Sequence, residues 1–228
     1  MMRETRTGQA LLAGAAGLVG GHVLTRLLAH PAYSRVEILV RRELPIRNPK
    51  LIQHIVDFER LYTVPGIAAQ DVFCCLGTTI GKAGSQPAFR RVDHDYPLAL
   101  ANLAKAAGAQ QFLMVSALGA DSKSSVFYSR VKGETEHDIV MTGLPKVVFM
   151  RPSLLIGERQ ERRTGEIVGA VVGRIIRPLL VGSLRKYRPI AADDVAAAML
   201  YAANHDVPAG AIESDELLRL ARLENSAR

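Results

Sequence analysis

Short apolar runs alternate with stretches of helical spacing along most of the chain. Gln9–Ala13 is an apolar run ending at Gly14, and Leu18–His30 follows with Leu24, Leu27 and Leu28 on one helical face before Pro31. Val36–Val40 stops at Arg41-Arg42, Leu51–Val56 stops at Asp57, and Asp71–Leu76 stops at Gly77-Thr78-Thr79. One long helical pattern runs from Pro87 to Ala107 and closes at Gly108. Gln111–Val115 ends at Ser116, Ser124–Met141 reads as a helix closing at Gly143, and Val147–Met150 ends at Arg151-Pro152. Further on, Gly165–Ile176, Asp193–Ala203 and Glu213–Leu223 have helical spacing.

Strands alternating with helices predict βαβ units around a mostly parallel sheet. The strands are continuous apolar runs, as expected for a sheet covered on both faces. Right-handed crossovers make the expected architecture doubly wound. Residues 1–228 read as a single domain, with 153–188 as a small cap or substrate-side insertion. The loop Thr79–Gln86, with Gly81 and Gly84, is the expected flexible segment.

The first run leads into Gly14-Ala15-Ala16-Gly17-Leu18-Val19-Gly20 at a strand-to-helix junction. In that context G-x-x-G-x-x-G predicts a dinucleotide phosphate loop. Gly14 permits the tight turn, Gly17 lets the backbone approach a pyrophosphate, and Gly20 lets the helix lie close to the sheet. Ala16, Leu18 and Val19 belong to the same cofactor-binding turn. The expected fold is therefore an α/β, doubly wound parallel sheet of the Rossmann NAD(P)-binding type, with a small C-terminal cap. An acidic residue at the end of the second strand favours NAD, whereas Arg41 and Arg42 stand there. A guanidinium pairs with a 2′-phosphate, so NADP(H) is favoured. Glu43 beside them keeps NAD(H) open.

Composition narrows the picture. The chain has 228 residues, 48% apolar and 22% charged, which suffices for one sizeable core and excludes intrinsic disorder. Its two cysteines, Cys74 and Cys75, are adjacent on a central strand, so buried inert thiols are expected rather than a disulfide scaffold or a redox switch. No metal site is expected. No stretch approaches the roughly 18–20 apolar residues of a membrane span, and the chain reads as unprocessed and cytoplasmic. The net charge of +7, from 29 basic and 22 acidic residues, favours anionic partners. It concentrates in the Arg159–Arg188 segment, which reads as a cover for the substrate pocket, as a site for an acidic protein or anionic surface, or as an amphipathic surface helix. With 5% aromatic residues and no recognition motif, nucleic acid is not an expected partner.

Tyr128 and Lys132 are four apart on an expected helix and share a face. A free tyrosine is a poor acid or base at pH 7, and a neighbouring ammonium favours its phenolate. Ser116 closes the preceding strand, and carboxyl ends of parallel strands are where such folds bind ligands. On this reading Ser116 holds a substrate carbonyl while Tyr128 exchanges the proton. Asp93-His94-Asp95 reads as capping and solvated surface at a helix start, and Lys82 as a loop lysine.

With these segments the chain resembles an atypical short-chain dehydrogenase/reductase, of the Tat-interacting-protein branch and its bacterial relatives. The resemblance rests on Gly14–Gly20, Val56–Glu59, Phe73–Thr79, Gly81–Gly84, Val92–Tyr96, Ser116–Ala120, Tyr128–Glu134, Arg151–Ser153 and Pro189–Val195, in family order. It implies that Ser116, Tyr128 and Lys132 are the catalytic triad and that Gly14, Gly17 and Gly20 form the phosphate loop. It also implies Asp57 and Phe58 near the adenine, Leu76, Gly77 and Thr78 beside the adenosine ribose, and Pro152 and Ser153 at the nicotinamide. The family's relay Asn is absent, its neighbourhood being Asp93-His94-Asp95. Little follows Pro152, so a large sugar-nucleotide site is not expected. Three functions stay open: an NADPH-dependent oxidoreductase on a small carbonyl or alcohol, a non-catalytic NADP(H)-sensing regulator that binds a protein, and a small-substrate epimerase or isomerase. A homodimer is also left open.

Overall fold

The computed structural model describes residues 8–63, 69–157 and 182–227. Its main sheet has seven parallel strands: β1 (Gly8–Ala13), β2 (Tyr33–Val40), β3 (Leu51–Ile55), β4 (Asp71–Cys74), β5 (Gln111–Val115), β6 (Val147–Arg151) and, after a separate two-stranded ribbon of β7 (Leu155–Ile156) and β8 (Ile190–Ala191), β9 (Gly210–Glu213). The spatial order β3-β2-β1-β4-β5-β6-β9 reverses between β1 and β4. That reversal opens a crevice at the carboxyl ends of the strands. The expected doubly wound sheet is present.

Alternate strand residues feed two apolar layers. Ala10 and Leu12 join Ile38, Phe73 and Val148 under α1 (Leu18–Ala29), α6 (Ala192–Asn204) and α7 (Ser214–Ser226). Leu11 and Ala13 join Val72, Phe112 and Phe149 under α4 (Tyr96–Ala106) and α5 (Phe127–Met141). α6 is rich in buried alanine, which lets it lie close to its neighbours. Buried Arg26 of α1 ties that layer together, gripping Asp193 at 2.8 and 2.6 Å and Asn225 at 3.0 Å.

Four expectations change. The helix expected over Pro87–Ala107 is broken into α3 (Gln86–Arg90), a wide turn at Arg91–Asp95, and α4. Pro97 is the cause: it has no N–H for the Asp93 carbonyl, and the helix there opens to an i→i+5 bond from Tyr96 to Arg91. The loop expected at Thr79–Gln86 contains a one-turn helix, α2 (Ile80–Ala83), whose Lys82 amide is capped by the Thr79 hydroxyl at 3.2 Å. Asp93 and His94 are not solvated surface, being 1% and 6% exposed. Strand β9 had no sequence signal, because it holds four residues and buries only Ile212. The helix expected at Gly165–Ile176, and most of the 153–188 cap and the basic segment, lie outside the described residues.

Candidate active site

The turn after β1 has the form its glycines suggest. Gly14 sits at φ +90°, a conformation that side chains rarely adopt, and accepts a hydrogen bond from the Gly17 amide at 2.9 Å. A Cβ on Gly20 would collide with the Gly14 carbonyl, so only glycine lets α1 start this close to the strand. The first i→i−4 bond of α1 is donated by Gly21 to Gly17. The amides of Leu18, Val19 and Gly20 precede it, and no side chain caps them. Ala16 and Gly17 are exposed, whereas the Val19 side chain is buried in the core and can serve a ligand only through its backbone. This uncapped helix start with exposed small residues fits the pyrophosphate of a dinucleotide.

Arg41 and Arg42 leave the end of β2 exposed and form no ion pair among the described residues. Glu43 next to them is held by Arg47 at 2.6 Å. The register pairs Val40 with Ile55, so Val56-Asp57 leaves β3 beside Arg41. Exposed Asp57 caps the following turn through the Glu59 amide at 3.0 Å. Phe58 is buried against Tyr96, with ring centroids 5.7 Å apart. After β4, Leu76 packs partly on the core, Gly77 is exposed, and the Thr78 amide donates to Asp93 at 2.8 Å.

A cleft of about 450 Å³ lies at the carboxyl ends of β5 and β6, walled by Ala117–Gly119, Tyr128 and Arg151–Leu154, with Lys186, Tyr187 and Glu213 at its side. Tyr128 packs its ring on Phe89 at 5.6 Å. Lys132, one turn further along α5, is buried with its Nζ 2.8 Å from Asp93 Oδ1. Burial pulls the Lys132 ammonium towards losing its proton, but the Asp93 carboxylate and then Tyr128 outweigh it, and the pKa rises. Asp93 therefore stands behind the lysine as its buried counter-charge. The usable signal was Pro97, whose effect on the helix turns Asp93 inward.

The structure does not bring the third expected residue onto the cleft. Ser116 is 5% exposed, and its hydroxyl donates to Glu136 Oε1 at 2.5 Å. Glu136 is also buried and is held by Arg151, through Nε at 3.0 Å and Nη2 at 2.5 Å. Tyr128, Lys132 and Glu136 thus follow one another at four-residue steps along α5. Pro152 is buried in the cleft wall, and its carbonyl accepts from the Leu118 amide at 2.9 Å. The Ser153 hydroxyl donates to the Arg188 carbonyl, which ties β6 to the C-terminal part.

Other chemistry-bearing residues have structural partners. Burial pushes the Cys74 thiol up to about 12, and burial also holds Cys75 well above its ordinary range, so neither is a reactive thiolate. His94 sits between Asp95 and Asp138, each at 2.8 Å. Among the described residues no acid, histidine and cysteine cluster can hold a metal, and no helix is long and apolar enough to cross a membrane.

The family described as the NAD dependent epimerase/dehydratase family matches residues 10–213. Protein HTATIP2 of Rattus norvegicus is 41% identical over 158 residues, which cover 67% of this chain and 65% of that protein. That match therefore spans just under two thirds of the relative. "Protein fmp52, mitochondrial" of Emericella nidulans is 33% identical over 215 residues, covering 87% of this chain and 90% of the relative. MoeE5, solved in complex with UDP-glucose and NAD, has a TM-score of 0.67 at 18% identity, over 95% of this chain and 82% of that one. The expectation of a cytoplasmic protein is corrected here: the fungal relatives matched over nine-tenths or more of their length are named as mitochondrial.

Proposed function

The chain belongs to the NAD-dependent epimerase/dehydratase family and has the parallel sheet of its structural neighbours; from that premise we propose an NADP(H)-binding oxidoreductase acting on a small carbonyl or alcohol. The observation that carries the reading is Tyr128 in the cleft wall with Lys132 behind it, held by Asp93 at 2.8 Å. Gly14, Ala16, Gly17, Leu18, Val19 and Gly20 would hold the pyrophosphate, and Arg41 and Arg42 the 2′-phosphate. Asp57, Phe58, Leu76, Gly77 and Thr78 would flank the adenosine, and Pro152 and Ser153 the nicotinamide. The nicotinamide, when bound, supplies or takes up the hydride.

The protein's own part is proton transfer and positioning. Tyr128 exchanges a proton with the substrate oxygen. Lys132, kept charged by Asp93, is the cation beside the phenolate that forms when Tyr128 gives up its proton. Preference for NADP(H) rests on the two free guanidinium groups at the end of β2 and on Glu43, the alternative ribose ligand, being engaged by Arg47.

The test is a titration with NADPH and NADH, followed by reduced-nicotinamide fluorescence. The chain has no Trp, so energy transfer does not complicate the signal. Tighter binding of NADPH is expected, followed by turnover in a carbonyl and alcohol panel. Absence of binding by either nucleotide would overturn the reading. NADPH binding without turnover would leave the sensing function in its place.

A further inference from the structure

Arg151 is the last residue of β6, lines the cleft with Tyr128, and has a side chain 24% exposed. One edge of its guanidinium is occupied, since Nε and Nη2 donate to the two oxygens of Glu136. A guanidinium carries five N–H donors in one plane. The donors not used on Glu136, on Nη1 and Nη2, have no partner among the described residues. The Nη1–Nη2 edge presents two parallel N–H groups, the spacing that a carboxylate accepts. Glu136 fixes the guanidinium plane from behind, and the Ser116 hydroxyl fixes Glu136. An arginine already held in place loses little freedom when a ligand binds. Glu213, the acid in the cleft lining, is paired with Lys186 at 3.0 Å, and Glu136 is held by Arg151, so neither faces an incoming anion unpaired.

We infer that Arg151 is a substrate-recognition residue whose open edge receives a carboxylate carried next to the reacting carbon. The inference rests on the oxidoreductase reading and names its substrate class, a small hydroxy or oxo acid. Ser116 then acts through Glu136 as a positioning residue for Arg151 and does not itself touch the substrate oxygen.

The experiment is calorimetric titration of the full chain, alone and loaded with NADP+. The probes are 2-hydroxy acids from lactate to 2-hydroxy-4-phenylbutanoate, each paired with its amide. Acids of the series are expected to bind at least about tenfold tighter than their amides, the gain of a charge-assisted pair. Arg151→Lys, which keeps the charge and loses the fork, should remove most of that ratio. Ser116→Ala should lower the acid-to-amide ratio several-fold. No preference for acid over amide anywhere in the series overturns the inference, and so does an unchanged ratio in a folded Arg151→Lys protein. If that variant does not fold, the native ratio and the Ser116→Ala response decide. Retained NADPH binding with no acid preference defeats the carboxylate site alone. Absent NADPH binding defeats the oxidoreductase reading, and the acid-to-amide ratio of the unloaded chain still decides on Arg151.

Discussion

The Thr135 hydroxyl shares its one proton between the Val131 carbonyl at 2.7 Å and the Asp93 carbonyl at 3.0 Å, and the Asp93 carbonyl is the one left without a helical N–H by Pro97, four residues on. One missing donor thus joins the wide turn before α4 to α5. The same turn carries the Asp93 carboxylate to Lys132. Backbone chemistry at Pro97 and the charge state of the candidate site are therefore linked.

Asp93→Asn is expected to strand the Lys132 ammonium in the interior. Breaking a buried pair by removing one partner costs about 3–5 kcal/mol. Urea unfolding should show a loss of this order, and turnover should fall with it. The same variant with Lys132→Met should recover part of the stability but no activity.

Tyr128→Phe removes the exchanged proton and little else, because the ring still packs on Phe89. Turnover should fall by about 10²–10⁴-fold, the usual contribution of a positioned acid or base. NADPH affinity, measured by fluorescence titration, should be unchanged.

Arg41→Ala with Arg42→Ala should weaken NADPH binding and leave NADH binding as it is, erasing the difference between the two titrations. Equal loss for both nucleotides would place the arginines elsewhere than at the 2′-phosphate.

Gly20→Ala puts a methyl group against the Gly14 carbonyl. The α1 start must then move away from the strand, so this variant should lose both nucleotide affinity and several degrees of Tm in a thermal melt.

Alkaline pH should destabilise the protein through its buried thiols. Cys74 is held at about 12 in the folded chain, against 9.0 for a free thiol. A raised pKa contributes stability that is complete below the unfolded value and is lost as pH rises through the folded one. The Cys74 contribution is therefore full below pH 9.0 and disappears towards about 12. Urea midpoints taken across that window should fall, and Cys74→Ala should flatten the fall.

Periodic apolar runs and the strand–glycine–helix junction determined the βαβ order, the glycine turn after β1 and the shared helical face of Tyr128 and Lys132, because these are local: they depend on residues a few positions apart. Strand β5 and helices α1, α6 and α7 lie at or within a few residues of their expected bounds for the same reason. Tertiary structure decided where buried polar groups find partners. Asp93 meets Lys132 across 39 positions, and Ser116 meets Glu136 across 20, with Arg151 a further 15 beyond. A buried charge must be paired, but several acids and bases in the sequence can satisfy that need. Only the packing of α5 against the turn at Arg91–Asp95 and the end of β6 selects among them. The short edge strand β9 likewise exists because β6 offers it backbone partners, not because Gly210–Glu213 prefers to be a strand.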